Sequence, residues 1–247
     1  MEMFALEHDV AQWESALLPL RGAGRVPLLL LLSWHLRQRD CARAMQLSAE
    51  AHLLLPLAGL DTAALEQARA RLQLVQAEVA WLQGSLDAAE TQALAAHATL
   101  CAHGNSAACA DAHWLLSSIA VDRGDHVRRD AELQAAAEQA RRAGDPMRAS
   151  LADAATARWA VLGDAPAAQA RWSRQFQADG GKLPAPLATW VHDFHGLLAH
   201  RSRDLGTAAG HYMQSYEAAL ESGQLRGAIT AASSSLGSNR RCGMRRS

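Results

Sequence analysis

Strand-forming residues are scarce in this chain. It has three Phe and two Tyr among 247 residues, Ile and Val are few, and Ala and Leu supply most of a 49 % apolar fraction. β-branched and aromatic residues favour strands, whereas Ala and Leu head the helix scale, so the expected fold is all-α. Charge of one sign is lacking too, since the formal net charge is −1. No global field draws the chain to nucleic acid or a membrane, and neither is expected as a partner. The apolar run Leu28–Leu32 stops at SWHLRQRD, far short of the ~20 residues that span a bilayer. The opening MEMFALEHD is acidic, where a signal peptide starts positive. Cys41, Cys101, Cys109 and Cys242 form no framework, so a reduced, cytoplasmic protein is expected.

Catalytic signatures are missing as well. There is no GxSxG, no phosphate-cradling glycine loop and no dinucleotide fingerprint. Neither enzymatic activity nor a cofactor is expected. Cys101, His103, Cys109 and His113 crowd one stretch, CAHGNSAACADAH. Zinc fingers place paired ligands about two to four residues apart, a spacing this stretch does not keep, so packed thiols are expected. His192 and His195 stand three apart in HDFHG, with His200 beyond, but HExxH is absent. No metal site is expected there.

What the chain does have is a period. Glycine or arginine followed by a polar capping residue recurs at Arg39-Asp40, Gly84-Ser85, Gly124-Asp125, Gly163-Asp164 and Arg203-Asp204, in steps of 45, 40, 39 and 40 residues. Glycine ends a helix because it takes the left-handed conformation without steric cost, and Asp or Ser then caps the next helix. Each pair therefore reads as a helix–turn–helix corner. A further pair, Gly144-Asp145, closes one helix and starts the next, with Pro146 in the first turn, where its missing N–H costs nothing. Leu72, Val75, Val79 and Leu82 form one apolar helix face, and Leu115, Leu116, Ile119 and Ala120 another. Second helices carry alanines that let axes approach closely. The expected helix pairs run roughly over 27–55, 64–100, 107–143, 146–178 and 185–222. The loop Asp179–Leu187 is the longest expected, and Leu6, Val10, Trp13 and Leu17 mark a capping helix before the array.

These marks resemble the tetratricopeptide (TPR) family. Aligned on the corners, Ala77, Ser117, Thr156 and Gly196 take its small first-helix position. Ala44, Ala89, Ala168 and Ala208 take its first alanine position, and Trp172 and Tyr212 its aromatic one; Arg129 departs from the pattern. The step near 40 exceeds the TPR period of about 34 and resembles longer TPR-like repeats of bacterial regulators. HEAT-type repeats are the structural alternative. The stretch Leu32–Leu55 is similar to the opening of the TPR sensor region of bacterial GGDEF diguanylate cyclases. The resemblance implies a right-handed α-solenoid of about five helix–turn–helix repeats with a truncated sixth. It divides into a capping helix over 1–24, a repeat domain over 25–223, and a truncated repeat with a basic disordered tail over 224–247. After Asn239 come four arginines and no acid, which reads as an array cut within its sixth repeat, or as a basic tail.

In TPR arrays, inward residues of the first helices line a concave groove. Here the corresponding positions give a binding set of Glu78, Trp81, Asp111, Trp114, Ser118, Asp153, Trp190 and Asp193. The alternative for the tryptophans is core. As a groove, aromatic walls over an acidic floor suit a cationic or amphipathic peptide. The expected function is a non-enzymatic scaffold for a protein or peptide ligand; the alternative is the sensor part of a signalling protein. Self-association is expected through an uncovered end face carrying Tyr212, Tyr216 and Leu220.

Overall fold

The computed structural model describes residues 1–175 and 183–243, the side chains of 171, 173–175 and 236–243 excepted. Every element among them is helical, with twelve α-helices, two short 3-10 turns and no strand. Composition and fold class therefore agree. No described helix is long and apolar enough to cross a membrane. The expected loop Asp179–Leu187 lies outside the described residues as far as Lys182, and a helix begins at Ala185. Positions 176–178 of the fourth expected pair and 244–247 of the tail also lie outside.

The chain divides into two compact units, Met1–Ala149 and Ser150–Ser247. The first holds α1 (Glu7–Leu17), α2 (Val26–Leu36), α3 (Cys41–Leu54), α4 (Thr62–Leu82), α5 (Leu86–Ala102), α6 (Ser106–Asp122), α7 (His126–Arg142) and the start of α8 (Pro146–Ala160). Successive helices pack on one another from α2 to α7, and α2 also touches α4, as α4 touches α6. Thus α2, α4 and α6 share one layer. The core between the helices holds Leu29, Leu32, Leu47, Leu72, Val75, Leu115 and Ile119, each 1 % exposed or less. Burying each such side chain stabilises by roughly 1.5–3 kcal/mol. Ala44, Ala89, Ala93 and Ala96 are fully buried between the helices.

The joints explain the helix lengths. Gly84, Gly104, Gly124 and Gly144 all have positive φ and stand twenty residues apart. At each, two N–H groups reach back to the previous helix, as Ser85 N to Ala80 O and Gly84 N to Trp81 O at the first. This paired return bonding satisfies the orphan carbonyls of a helix end. Asn105, Asp125 and Asp145 then cap the next helix, accepting from Ala108 N, Arg128 N and Arg148 N at 3.2, 2.9 and 2.9 Å. Ser85 makes no such side-chain bond, contrary to its expected role. Gly163 does not take positive φ either; Gly163 N and Asp164 N both return to Ala160 O. Arg203 does take it, at φ 63.

The second unit contains α9 (Ala165–Gln175), α10 (Ala185–Arg201), α11 (Leu205–Ser222) and α12 (Leu225–Gly243). The small position at Gly196 has a clear cause, because a Cβ there would lie 2.7 Å from the Tyr212 ring. Trp172 stacks on Phe194 at 4.0 Å. α12 packs on α11 and α10, burying Ala228 and Ala231. α12 thus runs from Leu225 to Gly243, through the expected truncated repeat and into the basic tail. The α11 face expected to lie open is covered in part: Tyr212 is buried and Tyr216 half-buried, while Leu220 stays exposed.

Candidate functional site

The expected binding residues fall into the two units. Glu78, Trp81, Asp111, Trp114 and Ser118 lie on α4 and α6 in the first; Asp153, Trp190 and Asp193 lie on α8 and α10 in the second. In the first unit the acids are not an open floor. Glu78 is 2 % and Asp111 1 % exposed. Glu78 accepts from Arg37 Nε and Gln38 Nε2, both at 2.5 Å. Asp111 sits between Arg71 Nη1 at 2.7 Å and Arg148 Nε at 2.8 Å. A bare buried carboxylate would protonate or unfold the chain, so burial at these positions demands cationic partners. Burial pushes the Asp111 carboxyl up, but the two guanidiniums outweigh it and hold it below the usual carboxylate range.

The pairs are linked through Trp34 at the end of α2. The Arg37 guanidinium lies 3.6 Å over its ring and that of Arg71 4.4 Å. The result is one continuous seam, Glu78–Arg37–Trp34–Arg71–Asp111–Arg148, running along the layer of α2, α4 and α6 to the first turn of α8. Trp81 is buried and donates Nε1–H to Asp122 Oδ2 at 2.8 Å. Trp114 is buried beside the seam, and the half-buried Ser118 hydroxyl donates to its carbonyl at 3.2 Å.

Residues 1–5 lie on this seam. They precede α1, whose entry is held by Leu6 N donating to Asp9 Oδ2 at 3.2 Å. Met3, Phe4 and Ala5 are buried, while Met1 and Glu2 are exposed. Four carbonyls of this stretch accept from side chains: Met1 O from Arg148 Nη2 at 2.6 Å, Glu2 O from Trp34 Nε1 at 3.0 Å, Met3 O from Arg37 Nη2 at 3.2 Å, and Ala5 O from Arg39 Nη2 at 2.6 Å. Each guanidinium has more donors than one carboxylate can accept, and the main chain takes the remainder. The Phe4 and Trp114 rings pack in a T-shape with centroids 6.5 Å apart, and the Arg37 guanidinium lies 5.3 Å from the Phe4 ring centre.

In the second unit Asp193 is also buried and accepts from Arg158 Nε at 2.6 Å. Trp190 is half-buried and donates to Gln224 Oε1 at 2.9 Å; Asp153 is half-buried. Burial and the nearby Asp193 push the Tyr212 phenol up to about 12, against a smaller opposing effect of Arg158.

The binding set expected from sequence omitted Arg37, Arg71, Arg148, Trp34 and the first five residues. A signal existed for the arginines. Arg37 precedes Glu78, and Arg71 precedes Asp111, by about one repeat step. The four side chains of the Cys/His stretch do not converge. Cys101 and Cys109 are joined in a disulfide rather than packed as thiols. His103 pairs with Glu66, and His113 with Glu132 and His97. Among the described residues no group of three His, Cys, Asp or Glu side chains could hold a metal.

No family model matches the chain, and no curated protein matches it. Among solved structures, the crystal structure of BtubC (BKLC) from P. vanneervenii is similar, at a TM-score of 0.55 over 92 % of each chain with 17 % identity. The likeness is one of fold.

Proposed function

We propose that this chain is a non-enzymatic helical-repeat scaffold that binds a protein or peptide, its helix pairs forming TPR-like repeats of a right-handed α-solenoid. The observation that carries the reading is the seam itself, where Trp34 of α2, Arg37 just after it and Arg148 of α8 donate to main-chain carbonyls of a non-helical stretch. Main-chain recognition with a pocket for one side chain is a way in which proteins bind peptides. The twenty-residue spacing of left-handed joints supports the repeat reading, and the buried alanines support it too. The buried acids shift the ligand expected from sequence. The face offers guanidinium and indole donors rather than carboxylates, so it suits a segment bound through its main-chain carbonyls more than a cationic one.

Display of random nonamer peptides tests this, on the full chain and on the chain lacking residues 1–5. Selected peptides are expected to lose at least tenfold in affinity on Trp114→Ala, and to be unaffected by Trp159→Ala. Selection of no peptide on either chain, or binding indifferent to Trp114→Ala, would refute it.

A further inference from the structure

Resting on that peptide-binding reading, we infer that residues 1–5 are a displaceable occupant of the seam. The partner is then a non-helical polypeptide segment that presents an aromatic side chain between small or apolar residues and replaces this stretch. Three features of the contact lead there. First, residues 1–5 are joined to the rest of the first unit through main-chain carbonyls, which any peptide segment possesses. The donors Arg148, Trp34, Arg37 and Arg39 read direction and spacing, not side-chain identity. Second, the selective contact is narrow. It is the Phe4 ring, 6 % exposed, packed against the Trp114 ring and the Arg37 guanidinium. Aromatic and cation–π contacts of this kind accept Phe, Tyr or Trp. Third, Arg37 and Arg148 are 2 % and 4 % exposed with the stretch in place, and its displacement removes the carbonyls to which they donate. Donors that lose their acceptors are costly to leave unpaired, which favours another carbonyl-bearing segment in the same place.

A tethered stretch also competes strongly. A short linker raises its effective concentration to about the millimolar range, so a free peptide of ~10 μM intrinsic affinity would bind the intact chain on the order of 10²-fold more weakly. The occupant thus sets a threshold that only a better-matched partner passes.

The probe is a labelled synthetic peptide of residues 1–9, titrated by fluorescence anisotropy into three proteins: the full chain, the chain lacking residues 1–5, and full-length Phe4→Asp. Helical circular dichroism verifies that each is folded. The expected result is binding at least tenfold tighter to both altered proteins than to the full chain, and loss of binding when the peptide itself carries Phe4→Asp. Folded altered proteins that ignore the peptide would overturn the inference, as would equal binding to all three. Loss of helical signal in both altered proteins would overturn it too, by showing the stretch to be core. A full chain that dimerises while Phe4→Asp stays monomeric would make a second copy the occupant and overturn the partner assigned here. If displayed nonamers still select at Trp114 while the 1–9 peptide does not bind, this inference fails and the scaffold reading stands.

Discussion

His35 on α2 is 4 % exposed, its ring 5.1 Å from that of Trp13, and neither ring nitrogen has a hydrogen-bond partner. Burial first, and then the Arg37 guanidinium, push its pKa from 6.5 down to about 3, against a raising effect of Asp111. Between those values the unfolded chain binds a proton that the folded chain refuses. The stability is therefore complete above about pH 6.5 and falls as the pH drops toward 3, by up to about 1.4 kcal/mol per unit from this residue. Urea unfolding at pH 7, 6, 5 and 4 should show a shallower decline in His35→Leu than in the parent. Some decline should remain, because His52, His97, His192 and His195 are lowered as well. Equal slopes in both proteins would contradict the assignment. Arg203 makes a second residue-scale case. It is exposed and takes φ 63, where a Cβ costs roughly 1–2 kcal/mol. Arg203→Gly should raise stability by about 1 kcal/mol, read as a higher urea midpoint at unchanged slope. A lower midpoint would mean that the arginine side chain contributes more than its backbone costs.

At the scale of the elements, the joints divide into two kinds that look alike in sequence. Gly124-Asp125 and Gly163-Asp164 are the same dipeptide, but only Gly124 is left-handed. A Cβ at Gly163 would meet nothing nearer than Ala160 O at 3.7 Å, an ordinary contact. Gly124→Val should therefore destabilise by about 1 kcal/mol or more, and Gly163→Val by clearly less. Thermal melts of the two variants check this, and equal losses would refute the distinction. Most joints were legible because a helix end and the cap after it involve residues only a few positions apart. Gly104-Asn105 has the same backbone bonding as its neighbours, yet it stands midway between Gly84 and Gly124, and a step near 40 passes over it. The Gly196 position was legible as small; that it faces the Tyr212 ring required the packing of α10 on α11.

On the scale of the whole molecule, the groups that matter are far apart in the chain. Within the first unit, Asp111 joins Arg71 of α4 to Arg148 of α8. Asp111→Ala would leave both guanidiniums facing a buried gap, and breaking a pair of this kind costs about 3–5 kcal/mol. A large fall in the melting temperature is expected, in place of the intact but non-binding protein that a solvent-facing acid would give. A melt within a few degrees of the parent would show that the pairing is dispensable. The helices, their caps and the all-α class were readable from the sequence alone, because propensity, apolar period and turn chemistry act over a few residues. Counting from the corners even placed Glu78, Asp111 and Asp193 at inward positions. It could not say whether inward meant solvent-lined or buried. That depended on arginines supplied by other helices, and on Met1 reaching Arg148 across nearly the full length of the first unit's chain. Such contacts carry no local signature: a guanidinium takes whichever acceptor the folded chain brings within hydrogen-bond distance, and only tertiary packing decides which one that is.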